Sequence, residues 1–320
     1  MGPLLFLLYI NDMFDVVKHS KIKVFADDSK LHKEIRSLVD RLLLEEDLRA
    51  VVEWSQLNNM ELNPDKFKLL QHGKNDAMKI PYTLPGNMVL SAEEEAVRDL
   101  GVQVDKDFNF EYHINKKITE ARNKASWLLR TFSTRDKSSM LLIYKTYVQR
   151  LVEYCCPLWS PSSVAQISAI ESIQRTFTSK IDGIGHLNYW DRLRELDLFS
   201  LQRRRERYSI ILMWKMQKEL IPNCIKANFK SSDRRGFTCV RTIGKSKYGS
   251  INTLIFNSFT SSGPAIFNVV PPHIKAIDSL TTFKATLDKW LQTIPDTPPT
   301  AGYVAANRNS IVEWINSRSN

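Results

Sequence analysis

Val24-Phe25-Ala26-Asp27-Asp28 decides how this chain is read. Lys21 to Phe25 alternates polar and apolar residues, the period of two expected of a half-buried strand, and the aspartates break it as a turn. Neighbouring carboxylates at a tight turn between strands suit a divalent cation, because Mg²⁺ takes one or two protein carboxylates and fills its shell with water and substrate phosphates. Taken alone, the same dipeptide is usually just a turn former. Its surroundings separate the two readings.

Upstream, Leu4 to Ile10 is apolar on every side, which predicts a helix buried from its first turn. Downstream, Leu38, Leu42, Leu48, Val51, Val52 and Leu57 recur at helical spacing with Asp40, Glu45, Glu46 and Glu53 outward, predicting one long amphipathic helix. Asn63-Pro64-Asp65 reads as a turn, Phe67 to Gln71 as a strand and Val97 to Val104 as another. After residue 110 the pattern becomes helical, over His113 to Phe132, Ser138 to Arg150, Ser163 to Ile181 and Leu201 to Glu219. Residues 230–250 collect Arg234, Arg235, Arg241, Lys245 and Lys247 among Ser and Gly and read as a flexible basic linker. A helix over Leu280 to Leu291 follows, ended by Pro295, Pro298 and Pro299. The tail from 300 reads as loosely held, with Ile311-Val312 and Trp314-Ile315 as one docked turn. Trp127, Trp159, Trp190 and Trp214 sit in apolar stripes and are expected in the core.

The 320 residues are 43% hydrophobic and 25% charged, which excludes wholesale disorder. The formal charge of +10 is unevenly spread: residues 1–110 carry 14 basic and 19 acidic side chains, net −5, and residues 111–320 carry 31 and 16, net +15. A basic surface over that length favours polyanions, since neutralising phosphates releases counterions. Cys155, Cys156, Cys224 and Cys239 lack metal-binding spacing, and six scattered histidines suggest no ligand set. No apolar run approaches a membrane span, so the expected setting is intracellular, nucleus or cytoplasm, with no membrane partner. Gly-rich phosphate loops, a Ser-His-Asp order and HExxH are absent, which leaves hydrolase readings without support.

With Gly2-Pro3-Leu4-Leu5-Phe6-Leu7-Leu8-Tyr9-Ile10-Asn11-Asp12 ahead of it, the aspartate block resembles the reverse transcriptase palm of non-LTR, LINE-type retrotransposons, particularly the jockey-like group. The resemblance continues through Trp54, Met60, Asn63 and Lys66 and through Asp99-Leu100-Gly101, which looks like the family's primer-grip turn. Further on, Ile143-Tyr144-Lys145, Glu153-Tyr154, Trp159-Ser160-Pro161, Gln174-Arg175, Tyr189, Arg192-Leu193 and Leu201 to Arg205 look like the thumb and the region after it. Phe25 stands where tyrosine is common among reverse transcriptases, and Ser29 where threonine is usual. The implied fold is α+β. A partial palm with a small antiparallel sheet (1–110) would be followed by a mainly α-helical thumb and post-thumb region (111–220), then a basic linker and small helical segment (221–320).

The resemblance implies an RNA-directed DNA polymerase working by two-metal nucleotidyl transfer on an RNA template and DNA primer, with Mg²⁺ as cofactor. Asp27 would be the principal metal ligand and Asp28 the weaker one. Lys66 would stand near the departing pyrophosphate, against a plain surface lysine as the alternative. Lys116, Lys117, Arg122, Lys124, Arg130, Arg203 and Arg204 would contact nucleic acid, against a solvated face for the arginine run. The family's metal site needs a further aspartate on an earlier strand, which lies before Met1, and Asp12 and Asp15 do not replace it. The chain is therefore expected not to extend a primer alone. A non-catalytic basic nucleic-acid-binding protein derived from such an enzyme is the alternative, and a sequence without any role is a third.

Overall fold

The computed structural model describes residues 1–73, 80–93, 95–232, 236–300 and 309–318, and the chain divides into two compact units, Met1–Phe108 and Asn109–Asn320.

The first unit starts with helix α1 (Gly2–Tyr9) and the short α2 (Met13–Val16), followed by strands β1 (Lys21–Phe25) and β2 (Asp28–His32). Helix α3 (Leu38–Leu57) comes next, then β3 (Tyr82–Leu84), β4 (Met88–Leu90), β5 (Ala96–Asp99) and β6 (Val102–Asp105). Ser37 opens α3 as a reciprocal capping box with Asp40, which satisfies two of the helix's orphan amides. Ile10, Met13, Val51 and Trp54 form the unit's core, with Phe6, Ile22, Val24, Leu31, Met60 and Leu62 packed on it.

Four expectations change here. The strands pair as separate two-stranded antiparallel hairpins, β1–β2, β3–β4 and β5–β6, instead of one small sheet. Phe67 to Gln71 is not a strand, since only Leu69 pairs, in an isolated parallel bridge to Ala92. Val97 to Val104 is two strands, because Leu100 (φ 45) and Gly101 (φ 85) turn the chain where one strand was expected. Helix α1 does form, yet none of its residues is buried, and Leu4, Leu5 and Leu8 are 60% or more exposed. Its apolar residues point all round, and only the Phe6 side meets the core.

The second unit is built from α4 (Glu111–Thr131), α5 (Lys137–Ile143) running through a wider turn into Val152, α6 (Cys156–Trp159), α7 (Val164–Thr178), α8 (Tyr189–Glu195) and α9 (Leu201–Gln217). Then come β7 (Phe229–Ser232), β8 (Gly236–Cys239), α10 (Gly249–Asn257), α11 (Phe259–Asn268), α12 (Pro272–Lys275), α13 (Leu280–Gln292) and α14 (Ile311–Arg318). One of its apolar clusters joins Ile210, Met213 and Trp214 of α9 to Phe267, Phe283, Leu287 and Leu291. Trp214 stacks on Phe283 at 4.4 Å and donates its indole N–H to Ile277 O at 3.1 Å.

The expected linker over 230–250 instead contributes the β7–β8 hairpin, ordered by pairing from Phe229↔Cys239 to Ser232↔Gly236, and the start of α10; Arg234 and Arg235 lie outside the described residues. The docked turn near 311 is a full helix whose first amide, Ile311 N–H, donates to the half-buried Glu206 carboxylate at 3.1 Å. Trp159 and Trp214 are in the core. Trp127 is 49% exposed, one position off the buried stripe Ile114, Ile118, Ala121, Ala125 and Leu128, a rotation of about 100°. Among the described residues no helix is long and apolar enough to cross a membrane.

Candidate functional site

The doublet is presented by a hairpin whose root is pinned from α3. Asp47 is buried on that helix and accepts the backbone N–H groups of Lys18 at 2.8 Å and His19 at 3.0 Å, so the chain enters β1 in one place. Burial works against its charge, but the Ser20 hydroxyl and the amides of Lys18, His19 and Ser20 outweigh it and hold the carboxyl below its usual range. Ile22, Val24 and Leu31 then fasten the strands to the core. The register closes at Phe25↔Asp28, leaving Ala26 and Asp27 as a two-residue tip with Ala26 in the left-handed region at φ 52. Asp27 and Asp28 are both exposed at this tip.

A second hairpin is tied to the first. Lys30 of β2 forms an ion pair with Asp99 at the end of β5, next to the Leu100-Gly101 turn. Lys66 ends a short turn of Pro64–Lys66, opened by the Asn63 side-chain oxygen accepting the Asp65 amide at 3.0 Å. It is exposed and, among the described residues, makes no ion pair. Trp54 and Met60, two further residues of the resemblance, are core and core-packed. Asp12 accepts the Trp54 indole N–H at 3.2 Å.

As for Mg²⁺, the donor set is two adjacent carboxylates. Among the described residues no group of three or more His, Cys, Asp or Glu converges on a point that could hold a metal ion. The doublet can thus furnish the protein carboxylates of a Mg²⁺ site but not a closed cage, and an ion there would depend on phosphate or other oxygens for the rest of its shell.

The proposed nucleic-acid contacts fall into two groups. On α4, Lys116, Lys124 and Arg130 face solvent, with Lys116 lying 5.9 Å over Tyr112 and Lys124 lying 5.0 Å over the exposed Trp127. Lys117 pairs with Glu120 at 2.8 Å, and Arg122 donates to Ser172 Oγ at 3.0 Å. On α9 the reading as a contact surface is corrected. Arg203 is fully buried, donating to Pro295 O at 3.0 Å and pairing with Glu206 at 3.4 Å, so no phosphate reaches it. Arg204 grips Glu153 with two donors, one at 3.0 Å, and also reaches Tyr208 Oη at 3.1 Å. Burial opposes its charge, yet the Glu153 bond and charge hold it well above the usual guanidinium range. Three arginines in a row turn through too wide an arc to share one face, and two of them point inward.

What the sequence did not reveal is a buried polar network around Glu171. Its carboxylate accepts Tyr189 O–H at 2.7 Å and Gln202 N–H at 2.6 Å; Gln174 accepts Tyr144 O–H at 2.8 Å and donates to Tyr189 at 3.1 Å. Burial pushes Glu171 up to about 7 against the pull of the Arg205 charge. The signal was present but unread: Tyr144, Gln174, Tyr189 and Arg205 were all residues of the resemblance, and they serve the interior.

No family model and no solved structure matches the chain. It is 26% identical over 195 residues, 57% of its length, to a probable RNA-directed DNA polymerase from transposon X-element of Drosophila melanogaster, and 30% identical over 112 residues, 34% of its length, to an uncharacterized protein of Caenorhabditis elegans. The chain spans 21% of the first relative and 57% of the second. The match to the transposon polymerase supports a reverse-transcriptase-like relation for an α+β chain whose hairpin carries the aspartate doublet.

Proposed function

We propose that this chain is a segment of a non-LTR, jockey-like reverse transcriptase, with a partial palm in its first unit and a thumb beginning at α4. The observation that carries the reading is the pair Asp27 and Asp28 standing exposed at the tip of a two-residue hairpin, tied through Lys30 and Asp99 to the neighbouring turn. Asp27 is the principal carboxylate and Asp28 the lesser. Lys66 supplies positive charge for a leaving pyrophosphate. When bound, Mg²⁺ would activate a primer hydroxyl and neutralise phosphate charge. Lys116, Lys117, Lys124 and Arg130, with Arg122 at the edge, meet the phosphates of an RNA template paired to a DNA primer. With two carboxylates gathered, the chain by itself does not extend a primer.

The test is a graft. The Drosophila X-element polymerase carrying residues 21–32 of this chain in place of its own matching segment should retain template-directed incorporation and lose it on Asp27→Ala. A graft that is folded but inactive with Asp27 intact would overturn the reading, as would Mg²⁺-dependent extension by the native chain alone that Asp27→Ala leaves untouched.

The net +15 of residues 111–320 supports the second reading, a basic module that binds nucleic acid without catalysis. Filter binding over a salt series tests it: affinity should fall steeply with salt, and absence of binding at low salt sinks it.

A further inference from the structure

The second unit carries an open pocket of about 230 Å³, lined by Arg175, Asn188, Tyr189, Trp190, Arg192 and Thr300. Arg192 is buried and fixed in its wall: the guanidinium donates to Thr178 Oγ1 at 3.3 Å, Leu187 O at 2.7 Å and Arg175 O at 3.0 Å. Arg175 is half-buried, and among the described residues its guanidinium has no hydrogen bond and no carboxylate partner. Two cations therefore share one lining. Nearby acids are engaged elsewhere, Glu171 with Tyr189 and Gln202, and Asp191 with Arg194 and the Asn188 side chain. Burial weakens the hold of Arg192 on its proton; Tyr189 opposes that, and the Arg175 charge adds to it.

Like charges held together in a partly dry wall cost free energy that a bound anion removes. The anion that best matches paired guanidinium groups is phosphate, through two-pronged charge-assisted hydrogen bonds. The pocket is larger than a single anion requires and smaller than the ~300–1,000 Å³ of sites for drug-sized molecules. Trp190, its indole N–H spent on Pro298 O at 3.3 Å, offers the pocket an aromatic wall. A flat base stacks on such a surface.

We propose that this pocket binds a nucleotide phosphate, with the phosphate on Arg175 and Arg192 and the base against Trp190. The site is independent of the hairpin and stands whether or not that hairpin descends from a polymerase. The phosphate has two sources, a free mononucleotide or the end of a single strand.

Calorimetric titration of the full chain with AMP, adenosine, inorganic phosphate and a 5′-phosphorylated single-stranded oligonucleotide tests the proposal. AMP should bind, adenosine should not, and Arg175→Ala, at a half-exposed position and with its fold checked by circular dichroism, should weaken AMP by about tenfold or more. Trp190→Phe keeps a ring and should weaken it less. If a strand end is the source, the oligonucleotide binds more tightly than AMP, AMP displaces it, and both respond to Arg175→Ala. If a free nucleotide is the source, AMP alone responds. Silence with every probe up to about 10 mM, adenosine binding as tightly as AMP, or affinity unmoved by Arg175→Ala would each overturn it.

Discussion

Lys30 and Asp99 pair across the first unit, joining the hairpin that carries Asp27 and Asp28 to the hairpin that turns at Leu100 and Gly101. Both partners are substantially solvated, at 52% and 33% exposed, and exposed pairs are worth about 0–1 kcal/mol. The pair therefore sets where the two turns lie more than it holds the unit together. Asp99→Asn should lower stability by less than about 1 kcal/mol in chemical denaturation, and a larger loss would mean that the pair is structural.

Asp27→Ala and Asp28→Ala should leave stability within about 0.5 kcal/mol of the parent, because neither carboxylate is buried. Ala26→Gly should gain about 0.5 kcal/mol, since relief of a left-handed alanine, about 1–2 kcal/mol, exceeds the entropy that glycine restores to the unfolded chain, about 0.4–1 kcal/mol. Urea midpoints check all three. A marked loss in either aspartate variant would make the doublet a turn former and nothing more.

Asp47→Ala should cost about 2–3 kcal/mol, because it strands the amides of Lys18 and His19 and frees the root of β1. The carboxyl sits below its usual range when folded, so its contribution is present above the unfolded value of 3.8 and is lost as pH falls through the folded one. Hydrogen exchange over residues 18–32 should accelerate in the variant. Unchanged protection would remove Asp47 from this role.

Glu171 behaves in the opposite sense. Its folded carboxyl titrates near 7 and its unfolded one near 4.5, so folding holds a proton that the unfolded chain releases, and stability is lost as pH rises from about 4.5 to 7. Glu171→Gln removes that loss. The melting temperature of the variant relative to the parent should therefore climb across this window and level off above about 7.5. A constant difference from pH 5 to 8 would show that Arg205 keeps the carboxylate charged throughout.

Thiol accessibility offers a simple check of the second unit. All four cysteines are free; Cys155 and Cys224 are exposed, whereas Cys156 and Cys239 are buried, and burial pushes the Cys156 thiol up to about 12. A chromogenic disulfide reagent should react with two thiols in the native protein and four after denaturation. Four fast native reactions would contradict the packing of α6.

Much of the fold was legible because helices announce themselves through an apolar stripe. The twenty residues of α3 match the periodicity end to end, since Ser37 caps one end and Asn58 ends the other. A hairpin here was equally readable from Asp-Asp after an alternating run, although the tip falls one residue earlier than read, on Ala26 and Asp27, with Asp28 already paired in β2. What failed was mostly long-range. The local exception is Leu100-Gly101: the resemblance marks a turn there, while the valines at 97, 102 and 104 suggested one strand through it, and the turn won. Trp127 sits next to the buried stripe, and a rotation of one residue exposed it. Arg203 and Arg205 look like surface cations because composition says nothing about the distant groups they are buried near, Pro295 O accepting from Arg203 and the Glu171 charge facing Arg205, even though Glu206, which pairs with Arg203, lies one turn away on the same helix. The doublet was found from sequence, while the Asp47 anchor that positions it depends on a contact spanning about thirty residues.

Trp214 has a practical consequence for anyone dividing this polypeptide. Its ring lies between α9 and α13, so a piece ending near 220 would leave an indole and its methionine neighbours wet and would be digested or precipitate, however natural that boundary looks on paper. The boundary between the two units falls at Phe108 and Asn109, and trypsin in limiting amounts, cleaving after the exposed Lys106 just ahead of it, should leave a resistant fragment that begins at Asp107 before any shorter one.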